Sequence, residues 1–134
     1  MAKAKVEKEI LVICKDGKGV LGKLTRTLAD GKVNIKGICG WGQNGRAHFM
    51  LLTNDQKKAT RVLKKNRYSV KLQNVIAAQL PNRIGSMAKL GQALGAAGVY
   101  LDGCYGTAGG GTESTCIITT KNVKKALSVI KKVK

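Results

Sequence analysis

Residues 10–37 read ILVICKDGKGVLGKLTRTLADGKVNIKG, and residues 76–103 read IAAQLPNRIGSMAKLGQALGAAGVYLDG. At an offset of 66 positions the two stretches place Ile10 on Ile76, Gly19 on Gly85, Leu24 on Leu90, Leu28 on Leu94, Val33 on Val99 and Gly37 on Gly103. The register continues through Gly40 and Gly106 to Thr53 and Thr119. A slip of one residue then brings Ala59 onto Ala126 and Val62 onto Val129. Glycines and apolar positions match together, which is the mark of an internal duplication. The chain is expected to hold two units, 1–73 and 74–134.

Each copy reads as the same series of elements. Glu9 to Cys14 is an apolar strand, broken by Asp16-Gly17-Lys18-Gly19. Val20, Leu21, Leu24 and Leu28 then recur at helical spacing, and Gly31 marks the helix end. Val33 to Trp41 predicts a strand, Asn44-Gly45 a hairpin turn, and Ala47 to Thr53 the returning strand. Asn54 or Asp55 caps a second helix whose inner face is Ala59, Val62 and Leu63, and Tyr68 to Leu72 closes the unit. The order is that of the split βαβ, ferredoxin-like unit.

The second copy has strands at Val75 to Leu80, Val99 to Thr107 and Thr112 to Thr120, with helices from about Gly85 and Val123. It is expected to lack its last strand, since little chain follows the second helix. Its first strand is then expected to be an edge that needs covering. The fold class is α+β: two tandem units with antiparallel sheets and helices on one face.

Lys and Arg number 25 against 7 Asp and Glu, giving a net charge of +18. Hydrophobic residues make up 43%, which argues against wholesale disorder. No apolar run approaches the roughly 18 residues of a membrane span, so no membrane span is expected. Met1 to Lys8 has no apolar signal core. The four cysteines, Cys14, Cys39, Cys104 and Cys116, form no CxxC pair and read as reduced thiols of a cytoplasmic protein.

Asp16-Gly17-Lys18-Gly19-Val20-Leu21 followed by Val33-Asn34-Ile35 resembles the ACT domain. So does Pro81-Asn82-Arg83-Ile84-Gly85-Ser86-Met87 followed by Val99-Tyr100-Leu101, and the whole resembles a stand-alone tandem ACT protein. That resemblance implies a regulatory protein rather than an enzyme, without a cofactor. It implies binding of a small effector, commonly an amino acid, between such units, and hence a homo-oligomer. Carried over by position, the ligand-binding residues are Asp16, Gly19, Val20, Leu21 and Asn34, with Asn82, Gly85, Ser86 and Met87 in the second copy. Tyr100 stands in the place of Asn34, so the second site is expected to be altered. The residue chemistry agrees: amides at a helix start favour a carboxylate, and Asp16 can take an ammonium.

Other signals in the sequence point elsewhere. Gly17, Gly19 and Gly22 match GxGxxG, but residues 37–42 hold none of the acids that a dinucleotide fold places on the next strand. Gly109-Gly110-Gly111 reads as a loose hairpin turn, and His48 as a surface or interface residue. Lys57, Lys58, Arg61, Lys64, Lys65 and Arg67 crowd the second helix of unit one, and Lys124, Lys125, Lys131, Lys132 and Lys134 that of unit two. This charge supports an alternative, a nucleic-acid-associated protein or one that binds an acidic partner. A structural role for the ACT fold without ligand is a third. Phe49 is the only aromatic in the expected third strands, so base stacking is disfavoured.

Overall fold

The first strand, β1 (Lys3–Lys15), starts six residues before the apolar run that predicts it. In the computed structural model, which describes residues 2–107 and 110–134, it is followed by α1 (Val20–Asp30), β2 (Ile35–Gln43), β3 (Arg46–Thr53), α2 (Gln56–Lys65), β4 (Val70–Pro81), α3 (Ser86–Ala96), β5 (Gly103–Thr107), β6 (Glu113–Thr119) and α4 (Val123–Lys131). The expected α+β series is present twice, with antiparallel strands. Gly109 of the glycine triplet lies outside the described residues.

Lys8–Gln73 form one compact unit, and residues 2–7 join Asn74–Lys134 in the other. The expected boundary at 73/74 therefore misplaces the first residues. No strand follows α4 among the described residues. The start of β1 takes that place, next to β4. Ala2 and Ala4 pack on the second core, and the Ala2 N–H donates to the Val133 carbonyl at 2.7 Å. The predicted bare edge at Val75 to Leu80 is thus covered by the chain's own first residues.

The predicted strands at Tyr68 to Leu72 and Val75 to Leu80 are one strand, β4. The polar pair Gln73-Asn74 makes no turn: it lies inside β4, and the Gln73 side-chain amide donates to buried Glu9 Oε1 at 2.8 Å.

In the first unit Ile10, Val12, Phe49 and Leu51 meet Leu24, Leu28, Ala59 and Leu63 from the two helices. In the second, Ile76, Leu80 and Ile118 meet Leu90, Leu94, Ala126 and Ile130. Fully burying each large aliphatic chain contributes about 1.5–3 kcal/mol. Asp55 caps α2 by accepting from the Lys58 N–H at 3.0 Å, and Asn122 accepts from the Lys125 N–H at 3.4 Å at α4.

Two details refine the repeat. Gly40 opposes Phe49, whereas Gly106 opposes Cys116. The slip of one residue therefore falls in the second hairpin turn, before β6, and not after Thr53. From β3 onward the equivalent of each residue lies 67 positions later, as the caps Asp55 and Asn122 show. The first turn, Asn44-Gly45, has φ of 53° and 75°, as its hairpin requires.

Gly31 ends α1, but not through a left-handed backbone. Its φ is −82°, and the left-handed position is Lys32 at 63°. Gly31 is needed for contact: a Cβ there would lie 2.7 Å from Val62 Cγ2.

Candidate ligand-binding site

β1 ends at Lys15, and the chain must turn into α1 within four residues. Gly19 makes this possible with φ +82°, and Gly85 does the same before α3 with φ +91°. Each caps its helix without a side-chain bond, and neither first turn carries an acid. Both helix starts thus present backbone N–H groups and a positive dipole end without a side-chain acceptor.

In unit one a cavity of about 420 Å³ opens at this helix start. Asp16, Gly19, Val20 and Leu21 form one wall, with Ile38, Gly40, Trp41 and Phe49 opposite. Leu21, Ile38 and Trp41 keep 56%, 38% and 40% of their surface exposed, which leaves the rim apolar and open. Asp16 Oδ1 accepts from the Gly17 N–H at 2.9 Å. Its Oδ2 lies where a Cβ on Gly42 would sit 2.6 Å away, so Gly42 leaves room for the carboxylate. Burial, with the Asp16 charge, pushes the nearby Cys14 thiol up, against the lowering effect of Arg46 and Lys23.

A second cavity of about 450 Å³ occupies the equivalent place in unit two. Asn82, Gly85, Ser86 and Met87 line it together, facing Gly106, Thr107, Ser114 and Thr115. The Asn82 side-chain amide donates to the Gly111 carbonyl at 2.7 Å, so it ties the turn as well as lining the cavity. Its walls are more hydroxylic than those of unit one.

No protein-family model matches the chain, and no curated protein matches it in sequence. Solved structures do. Protein BT0572 from Bacteroides thetaiotaomicron is 26% identical over 96% of this chain and 88% of its own, with a TM-score of 0.88. The regulatory subunit of aspartate kinase from Thermus thermophilus, in its ligand-free form, is 15% identical over 97% of this chain and 95% of its own, with a TM-score of 0.66. E. coli aspartokinase III, in complex with lysine and aspartate, is 11% identical over 98% of this chain and 31% of its own, with a TM-score of 0.55. The chain has the fold of an aspartate kinase regulatory subunit.

Within this fold, eight of the nine sequence-derived site residues line the two equivalent cavities, four in each. Asn34 does not. It precedes β2 at the far end of α1, an 11-residue helix that spans about 16 Å. There its N–H donates to Asn54 Oδ1 and its carbonyl accepts from the Asn54 N–H, both at 3.0 Å. Tyr100, 80% exposed, stands at the matching end of α3. The opposite wall, Ile38, Gly40, Trp41 and Phe49, escaped the sequence reading. A glycine inside a strand was the available signal, since it marks a close approach: a Cβ on Gly40 would lie 2.8 Å from Phe49 Cδ1.

His48 is stacked on Trp41, with ring centroids 5.1 Å apart. Among the described residues no group of three or more His, Cys, Asp and Glu could hold a metal ion, and no helix is long and apolar enough to cross a membrane.

Proposed function

We propose that the protein is a regulatory module that binds an amino acid in the unit-one cavity and transmits occupancy to a partner. The observation that carries this reading is the Asp16 carboxylate beside the uncapped start of α1, on one wall of a hollow whose other wall is apolar. A free amino acid has three matching parts. Its ammonium pairs with Asp16, its carboxylate takes the amides near Val20 and Leu21, and its side chain lies against Ile38, Trp41 and Phe49. The shared fold with aspartate kinase regulatory subunits supports a regulatory, non-catalytic role. The lysine and aspartate held by E. coli aspartokinase III support the class of ligand. The test is a thermal-shift screen of the twenty amino acids. Stabilisation by at least one is expected, with quenching or enhancement of Trp41 fluorescence, and a flat screen overturns the reading.

The effector-bound form is proposed to act as a homo-oligomer, with the exposed apolar side chains of Leu21, Ile84 and Tyr100 available for burial between copies. Light scattering with and without the effector tests this, and a monomer in both conditions overturns it.

A second reading rests on one observation: α2 and α4 carry exposed lysines and arginines, and neither contains an acid. Such faces attract polyanions. Binding to nucleic acid that survives physiological salt would favour this reading over effector sensing.

A further inference from the structure

Unit two carries two thiols where unit one carries an apolar pair. Ile38 opposes Leu51 and Gly40 opposes Phe49, while Cys104 opposes Ile118 and Gly106 opposes Cys116. Cys104 therefore takes the place of Ile38, and Cys116 that of Phe49, the two residues that floor the unit-one cavity. The Cys104 and Cys116 sulfurs are 3.4 Å apart, within thiol hydrogen-bond distance, on neighbouring strands β5 and β6. Cys104 is exposed on the outermost strand, and Cys116 is buried at 1%. One residue of the pair is open to solvent, and the other is shielded from it. This is the arrangement of an attacking thiol and a resolving thiol.

We propose that Cys104 and Cys116 are a thiol–disulfide redox pair, oxidised by a small-molecule disulfide of the glutathione type through attack by Cys104. The Cys104 thiol loses its proton to water, and its sulfur attacks one sulfur of the small disulfide. The S–S bond breaks, and one glutathione leaves as thiolate and takes up a proton. Cys116 then loses its proton to solvent and attacks the Cys104 sulfur, releasing the second glutathione, which is protonated in turn. Two protein thiols have become one disulfide, and one small disulfide has become two thiols. The order of attack follows from access, and it is reinforced at Cys116, where burial and the hydrogen bond with Cys104 push the thiol up to about 12. The new bond fastens Cys104 of β5 to Cys116 of β6, next to Gly106 and Thr115, which line the unit-two cavity.

The full chain is incubated with oxidised glutathione, and intact mass is followed with a non-reducing peptide map. Wild type is expected to lose two hydrogens, keep no glutathione, and yield a Cys104–Cys116 cross-linked peptide. C116S is expected to stop at one glutathione on Cys104, and C116A does the same if serine disturbs the core. C104S is expected to react about ten-fold more slowly or not at all at Cys116. C14S/C39S is expected to behave as wild type. A stable glutathione adduct on wild-type Cys104, a cross-link through Cys14 or Cys39, or failure of both Cys104 and Cys116 to react would each overturn the proposal.

Discussion

Gly40 lies directly against Phe49: a Cβ built on the glycine would sit 2.8 Å from Phe49 Cδ1 and 2.9 Å from Cε1. The ring fills the space a side chain would need and forms the floor of the unit-one cavity. Gly40→Ala must push the ring off its rotamer or spread β2 from β3. A loss of about 1–3 kcal/mol is expected. Chemical denaturation measures it, and Gly40→Ala with Phe49→Leu should lose less than the sum of the two single losses.

The end of α1 offers a comparison inside one chain. Gly31 and Lys32 correspond to Ala97 and Gly98, and the left-handed residue is Lys32 in one copy and Gly98 (φ 72°) in the other. Lys32→Gly is expected to stabilise by up to about 1 kcal/mol. Gly31→Ala is expected to cost about 1–3 kcal/mol through collision with Val62. Equal effects on the unfolding midpoint at the two positions would contradict this assignment.

Effector binding should stabilise the fold by about 2.7 kcal/mol at one hundred times the dissociation constant. Asp16→Asn should abolish that shift by removing the charge that meets the ammonium. Asn34→Ala, at the other end of α1, should leave it in place. The pair of variants separates a site at the helix start from one built around the opening of β2.

Cys116 makes a prediction at high pH. Its thiol is held well above the ordinary value of 9.0, at about 12. The folded state therefore keeps the proton that the unfolded state gives up between those values. The stability it contributes is present in full below pH 9 and is lost as pH rises towards 12. Cys116→Ala should flatten this fall in a pH series of unfolding midpoints.

Nucleic acid is expected to bind wild type at low salt without sequence preference, because the chain carries a net +18. Reversing Lys57, Lys58, Lys64 and Lys65 to Glu should abolish that binding and leave the amino-acid thermal shift unchanged. Salt titration by fluorescence anisotropy follows the first, and a shift lost in the same variant would tie the two surfaces together.

The elements of the fold were legible because their signals are local. Leu24 and Leu28 recur at helical spacing, Asn44-Gly45 fixes a turn, and Asp55 caps a helix. The cavity wall made by the first turn was legible by resemblance, since its residues are contiguous. The facing wall was not, because Ile38 and Phe49 meet α1 only through strand pairing. The slip in the second hairpin was hidden for a related reason: Thr53 matches Thr119 in type, and only the cross-strand partner shows that Thr120 is its counterpart. Thr53 Oγ1 accepts from the Asp55 N–H as Thr120 Oγ1 does from Asn122.

The bond from the Ala2 N–H to the Val133 carbonyl has a consequence for biosynthesis. Residues 2–7 are translated before Lys8–Gln73, yet the unit they complete includes α4, which is translated after it. Lys8–Gln73 can assemble while translation continues, with the leading strand end held open until Val133 has been made. A fragment cut at 73/74 leaves the second half without its outer strand. A circular permutant that joins residue 134 to residue 2 through a short linker, and opens elsewhere, would turn this latest-forming contact into one of the earliest.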